Sequence, residues 1–475
     1  MRKTKIVATL GPASNSESNI RRLMLAGVNI FRLNFSHGDH EIHGQSVKII
    51  HKLNDELELN VGILADLSGP KIRTGEVEGG VMALVAGETY SFSSKAQVCK
   101  GGQICLNYPH FAADVRPGEL ILLDDGKMLL KIQSTDGEDN VKAQVIQGGL
   151  LSSRKGVNLP DTRLRLPSLS EKDLDDLQFI MSMDIHWVAL SFVRTARDID
   201  DLRARIKEYD KKDPPKIIAK IEKPEAVTNA EEIVKSADAI MVARGDLGVE
   251  LPLEKLPVIQ KQLVRIAAAA SKPVIVATQM MEGMIENLRP TRAEVSDVAN
   301  SVLDGADAVM LSGETSVGKY PVETVETMNR IIMDVESLDD VYYKTGHNPS
   351  PLERTISDSI IMAATDLAQR IDARAILAMT NTGYSAYKLS SHRPKAGIFI
   401  FSASKHLLNT LSLVWGVSAI QFEDFSSTDV VMTKMRDQLQ SMKLIEVGDY
   451  IINISSVPIG QPGKTNMLKL SMVTN

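Results

Sequence analysis

Eight short apolar runs, separated by longer amphipathic stretches, limit this chain more than any other feature. They read "TKIVATL", "VNIFRLNF", "VGILADL", "WVALSF", "KIIAKIE", "AIMVARGD", "PVIVATQ" and "AVMLSGE". Runs this continuous suit strands covered on both faces. Their alternation with helical pattern is the signature of βα units and a parallel sheet. Eight of them, seven followed by polar or helical sequence, predict a (β/α)8 barrel.

The exception follows the third run. After "VGILADLSGPKIRTG" about ninety residues of alternating strand pattern and turn signals replace the expected helix, as in "ELILLDDGKMLLKIQSTDGEDN". Helical pattern resumes at "PSLSEKDLDDLQFI", where Ser168/Glu171 and Ser170/Asp173 both match a capping box. A small all-β domain is therefore inserted at the barrel end where chemistry is expected, and a lid is the natural reading. From about Val341 a further pattern begins. The runs "RAILAMT", "GIFIFSA", "SAIQFE", "DYIINIS" and "NMLKLSM" read as strands of a separate α/β domain. The expected division is 1–69 with 168–344 for the barrel, 70–167 for the lid and 345–475 for the C-terminal domain. Three domains also suit 475 residues.

Polar residues gather where the barrel runs end, the face on which barrel active sites form. These ends offer Arg32, Asn34 and Ser36, then Asp66, Lys220 and Glu222, then Arg244 and Asp246. Thr278 and Gln279, and Ser312 and Glu314, complete the set. Several lie two apart, so strand alternation can aim them to one side. Glu222 and Asp246 form a hard oxygen donor pair suited to magnesium or manganese. Lys220 beside them can stabilise an oxyanion or enolate. A barrel-mouth salt-bridge network without chemistry is the alternative. Gly245 and Gly248 bracket Asp246 and allow backbone N–H groups close to an anion, although a tight βα turn would use them too.

Other features exclude functions. A net charge of −6 without a dense basic block argues against nucleic acid or an anionic membrane as partner. No apolar run reaches the roughly 18 residues of a membrane span, and the apolar run after the basic start is too short for a signal peptide. Two cysteines, Cys99 and Cys105, make neither a disulfide framework nor a metal quartet, which fits a reducing cytoplasm. "GETSVGKY" satisfies half of a P-loop, but Tyr320 replaces the hydroxyl residue and Glu314 would repel phosphates. His37, His40 and His43 lack a convincing ligand spacing, and Met280, Met281 and Met284 read as packing.

Taken in order, "TKIVATLGPAS", "FRLNFSHG", "GPKIRTG", "RKGVNLP", "AKIEKPEA", "VARGDLGVE", "ATQMMEGM", "PTRAEVSDVANSVLDGADAVMLSGET" and "GKYP" resemble the pyruvate kinase family. The resemblance implies phosphoryl transfer from phosphoenolpyruvate to ADP, giving ATP and pyruvate at the end of glycolysis. It implies Glu222 and Asp246 as Mg2+ (or Mn2+) ligands and Lys220 as the group that stabilises the phosphoryl and the enolate. Gly245, Asp246 and Thr278 would hold the substrate carboxylate, and Thr278 would relay a proton through a water, with Ser312 and Glu314 in support. Arg32 and Arg73 would contact the phosphoryl and nucleotide, with Asn34, His37 and Lys155 near the ADP. This agrees with the chemistry, which needs positioned cations around oxygens and little covalent help.

Two departures from the family matter. Potassium-dependent members hold the ion near residues matching Asn34, Ser36, Asp66 and the carbonyl of Leu67, and carry glutamate where this chain has Lys71. The Lys71 ammonium can supply that charge, so K+ is not expected to be required; pairing of Lys71 with Asp66 or Glu76 is the alternative. In the C-terminal domain "TNTGYS" resembles the family's effector phosphate loop. It would use Thr380, Asn381, Thr382, Gly383 and Ser385, with Ser402 and Lys405 beside it. The later loop "SSVPIGQPGKTN" lacks the tryptophan and arginine of bisphosphate-activated members and offers Lys464 instead. A sugar or nucleotide monophosphate activator is therefore favoured, with an ordinary βα turn as the alternative. A homotetramer is expected by resemblance only. Two rivals remain: a magnesium-dependent lyase or aldolase acting on a pyruvate enolate, and a sensor that has lost catalysis.

Overall fold

The computed structural model describes residues 2–343, 355–423, 427–457 and 465–474. Eight parallel strands close a barrel: β1 (Lys5–Thr9), β2 (Ile30–Asn34), β3 (Gly62–Asp66), β4 (Trp187–Leu190), β5 (Lys216–Ile221), β6 (Ala239–Ala243), β7 (Val274–Ala277) and β8 (Ala308–Leu311). Each pairs with its neighbours in sequence, and β8 returns to β1. β1, β3, β4, β6, β7 and β8 are buried at every position, which is why their sequences run apolar without alternation. Val7, Leu64, Trp187, Ile218, Met241 and Ile275 belong to the cluster that fills the interior.

The insertion after β3 builds a six-stranded sheet in the order Val157–Asn158, Leu120–Leu123, Met128–Thr135, Val141–Gln147, Thr89–Ser93 and Gln103–Cys105, with small two-stranded pieces beside it. It has its own core, in which the free thiols of Cys99 and Cys105 face each other at 2.9 Å. Where the chain re-enters the barrel, helix Glu171–Ser182 starts on a capping box formed by Ser170 and Asp173. The other match, Ser168/Glu171, is not used, because Glu171 is already the first helical residue. Asp173 also accepts from the Gly69 amide at 3.0 Å, so one buried carboxylate ties both stems of the lid together.

The C-terminal sheet has the order Val417–Gln421, Gly397–Ser402, Ala375–Met379, Tyr450–Ser455 and Met467–Met472, with only the last strand antiparallel. This domain docks under the starts of the barrel strands. Trp187 Nε1 donates to the Thr410 carbonyl at 3.1 Å and Lys5 Nζ to that of Val417 at 2.7 Å. Arg393 forks onto Asp307 at 3.0 and 3.1 Å. A Cβ on Gly62 would lie 2.7 Å from the Asn409 carbonyl oxygen, so the close approach there requires glycine. The lid lies at the opposite end, over the strand C-termini.

Candidate active site

The ends of β2, β3 and β5 bring two cations and two carboxylates into one buried cluster. Arg32 Nε donates to Asp66 Oδ2 at 2.7 Å, and Arg32 Nη1 to Thr9 Oγ1 at 3.1 Å. Lys220 Nζ lies 3.2 Å from Asp66 Oδ1 and 2.9 Å from Glu222 Oε1, and donates to Ser191 Oγ at 2.7 Å. Ser191 Oγ in turn donates to the Leu67 carbonyl at 2.7 Å. Burial works against the charge on Lys220, yet Asp66 and Glu222 outweigh it and hold the ammonium above the ordinary lysine value. Burial likewise opposes the Asp66 carboxylate, but Lys220 and Arg32 keep it below the usual range. Glu222 moves the other way: its burial prevails over Lys220, and nearby Asp246 adds to the upward push.

Glu222 Oε2 accepts from the Phe192 amide at 2.7 Å, while Oε1 has ion-pair proximity to Lys220 but no aligned hydrogen-bond donor. A buried carboxylate oxygen left in that condition, with Asp246 nearby, fits a hard divalent cation. Asp246 sits in the first turn of the short helix Arg244–Glu250, directly after β6. Its Oδ1 lies 3.6 Å from Lys71 Nζ of the lid stem. Lys71 thus faces Asp246, while Asp66 is taken by Arg32 and Lys220, and Glu76 by Arg154 at 2.6 Å.

After β7 the chain is held in a strained turn. Thr278 and Gln279 have φ of 70° and 54°, in the left-handed region that a β-branched threonine rarely enters. Thr278 Oγ1 accepts from the Gly245 amide at 2.7 Å. Arg244 fixes the turn from below. It donates to the Thr278 carbonyl at 2.7 Å and to both Asp297 oxygens at 2.7 and 2.6 Å. The threonine hydroxyl is thereby aimed at the same backbone amide that the helix start presents.

The remaining expected residues fall in several places. Asn34 Oδ1 accepts from the Ser36 amide at 3.1 Å, and the His37 carbonyl accepts from His43 Nε2 at 3.0 Å. Arg73 is exposed on the lid stem, with its backbone N–H on Asn107 Oδ1 at 2.7 Å. Lys155 pairs with Asp124 of a lid hairpin at 2.9 Å. Glu314 is buried and caps the Met281 and Ser312 amides at 3.1 and 2.7 Å, so it fills the loop that mimics a P-loop. Its burial pushes the carboxyl upward. In the C-terminal domain Thr380 Oγ1 accepts from the Gly383 amide at 2.9 Å, Asn381 and Thr382 are exposed, and Ser385 and Ser402 are buried. Lys405 turns away from that loop to Asp55 on the barrel, at 2.9 Å. Lys464 lies outside the described residues. Sequence reasoning missed Ser191 and the Phe192 amide, although both stand at the end of the run "WVALSF".

A model of the pyruvate kinase barrel domain matches residues 1–325, and one of the pyruvate kinase alpha/beta domain matches residues 358–471. The chain belongs to the pyruvate kinase family. A pyruvate kinase of Corynebacterium efficiens is 44% identical over 472 residues, covering 99% of this chain and 98% of that one. One from Mycobacterium tuberculosis is 41% identical over 474 residues, with 99% and 98% covered. The crystal structure of a pyruvate kinase from Cryptosporidium parvum superposes with a TM-score of 0.93 at 34% identity, covering 99% of this chain and 96% of that chain. The protein is thus a phosphotransferase that makes ATP and pyruvate from ADP and phosphoenolpyruvate, as its family does. The barrel, lid and C-terminal α/β domain form the fold expected from the sequence. Pyruvate kinases generally need a divalent metal such as Mg2+. Among the described residues no helix is long and apolar enough to cross a membrane.

Proposed function

We propose that Lys220 is the central catalytic group, stabilising the phosphoryl in flight and then the enolate oxygen. The observation that carries this is its ammonium, held charged between Asp66, Glu222 and Ser191 in a buried site. The bond from phosphorus to the enol oxygen breaks as one to a terminal oxygen of ADP forms. Arg32 and Arg73 face the transferring group, and Lys155 and His37 lie toward the nucleotide. Glu222 and Asp246 would hold Mg2+ or Mn2+, which when bound supplies Lewis-acid stabilisation of phosphoryl and enolate oxygens. The Gly245 and Asp246 main chain and Thr278 receive the substrate carboxylate. Thr278, through a water, delivers the proton that turns the enolate into pyruvate, with Ser312 and Glu314 in support.

Replacing Lys220 with Met tests this. Turnover should fall by about 10³ or more, as for loss of a major electrostatic group, while phosphoenolpyruvate still raises the melting temperature. Unchanged turnover would remove Lys220 from its role.

Finer readings follow the same reasoning. Lys71 takes the part of a monovalent ion, so the enzyme works without K+. The loop Thr380–Ser385, with Ser402, binds a phosphate monoester that activates the enzyme; Lys405 reaches it only after leaving Asp55. The enzyme is a cytoplasmic homotetramer, divided into domains at residues 70, 168 and 345.

A further inference from the structure

The lid contacts the short helix that carries Asp246 at two points and approaches it at a third. Lys71 Nζ of the lid stem faces Asp246 Oδ1 at its start, 3.6 Å away. The hairpin that pairs with Lys155 approaches its last turn: a methyl added at Gly126 would lie 3.7 Å from Val249 Cγ1. At its end, Asn158 Nδ2 of the lid donates to Glu250 Oε1 at 2.7 Å. All three partners lie on helix Arg244–Glu250.

The third contact is the buried one. Glu250 is 5% exposed and Asn158 also 5%, deep between lid and barrel. Lys223 Nζ is bonded to the same Glu250 oxygen at 2.5 Å and lies 6.0 Å from the centre of the Phe192 ring. Phe192 donates its amide to Glu222. Glu250 is therefore joined to the lid through Asn158, and through Lys223 and Phe192 to the carboxylate on the neighbouring strand.

We infer that Glu250 is a positioning residue that seats the closed lid on the helix of Asp246, so that nucleotide binding and the two metal-ligating carboxylates are coupled through Asn158, Glu250 and Lys223. This rests on the reading that ADP lies between lid and barrel. Glu250 touches no substrate; it acts by keeping Lys155 and Arg73 over the site. An uncharged amide donating to a buried carboxylate suits a contact that must break and re-form, because opening exposes no unpaired charge while Lys223 stays in place.

A charge swap across the contact tests the seat. Asn158→Asp sets two carboxylates against one lysine and should raise the KM for ADP about tenfold or more, a larger change than in the KM for phosphoenolpyruvate. In the double variant Asn158→Asp/Glu250→Gln one carboxylate and one amide are restored in exchanged positions, and the ADP KM should return to within about threefold of wild type. Hydrogen exchange without substrates should be faster at residues 155–159 and 245–250 in the single variant and recover in the double. Asn158→Ala serves as a milder probe if the single variant does not fold. A double variant no better than Asn158→Asp, or unchanged exchange in both, overturns the seat. Faster exchange with an unchanged ADP KM supports the seat and overturns the placement of ADP beneath the lid.

Discussion

Replacing Lys71 with Glu is the change that most directly probes how charge is balanced in this site. The Lys71 ammonium and Asp246 carboxylate lie 3.6 Å apart. Unit charges at that distance attract by about 1.2 kcal/mol in water and about 4.6 kcal/mol at an effective dielectric of 20. Both side chains are about a third exposed, at 29% and 31%, so solvent screening brings the working value to about 1–2 kcal/mol. Lys71→Met forfeits that attraction and should lower kcat/KM for ADP about five- to thirtyfold. Lys71→Glu replaces attraction by repulsion of similar size, about 2–4 kcal/mol in all, and should cost at least about thirtyfold. The assay is pyruvate formation with magnesium in tetramethylammonium buffer, repeated with potassium and with sodium. Wild type should be indifferent to potassium, and the Glu variant should recover most of its rate with it. A wild type that needs potassium, or a Glu variant that ignores it, would refute the reasoning.

Asp66→Asn removes the carboxylate shared by Arg32 and Lys220, leaving a surplus of buried positive charge. It should destabilise the fold by about 3–5 kcal/mol and lower turnover by more than tenfold, read by urea unfolding and steady-state rates. Arg393→Ala strands the buried Asp307 between barrel and C-terminal domain. A similar loss, about 3–5 kcal/mol, should make the C-terminal domain unfold at a lower temperature than the barrel in calorimetry, further apart than in the wild type. His186 is buried with Nδ1 accepting from the Ile63 amide at 3.0 Å, and its burial and the neighbouring His406 push its pKa down to about 3. The unfolded chain then binds the extra proton: stability is full above about pH 6.5 and is lost as pH falls toward about 3, at about 1.4 kcal/mol per pH unit. His186→Asn keeps an acceptor for Ile63 and should flatten that slope in urea titrations between pH 7 and pH 5; an equal slope would clear His186 of the effect. Thr278→Ala should lower kcat for pyruvate release more than tenfold while slowing the exchange of substrate into ATP less, measured by single-turnover quench.

The barrel was legible because strands buried on both faces leave continuous apolar runs, and because a βα alternation that fails once, after "VGILADL", marks an insertion. That Lys220, Glu222 and Asp246 would come together was legible because each interrupts or directly follows an apolar run, and the ends of neighbouring barrel strands meet on one face. What stayed hidden were pairings between distant segments. Nothing local in "RKGVNLP" says that Asn158 meets Glu250, 92 positions away. Nothing in "ATQMM" announces a left-handed Thr278, since the strain is imposed by Arg244 and the Gly245 amide rather than by the residue type. Lys71 stood out as a charge beside the site, yet its ion-pair partner, Asp246, lies on the short helix that follows β6, three barrel strands further along the chain. Its nearer candidates, Asp66 and Glu76, are taken by other cations.

The arithmetic of charge at the centre explains why a metal is required of this family. Arg32 and Lys220 are matched by Asp66 and Glu222, so the buried cluster is close to neutral before any substrate arrives. Lys71 similarly offsets Asp246. A multiply charged phosphate ester entering such a site meets little net positive potential, and desolvating it there without compensation would be prohibitive. On the lid Arg73 is exposed and adds charge of the needed sign, Lys155 does so only on leaving Asp124, and a divalent ion on the proposed ligands Glu222 and Asp246 would add the rest. The pairing that keeps Lys220 protonated therefore leaves little net charge for an anionic substrate, in keeping with the divalent metal that pyruvate kinases generally need. Removing Lys71 tips this balance toward negative, and that is why its loss should be felt first at the anionic nucleotide.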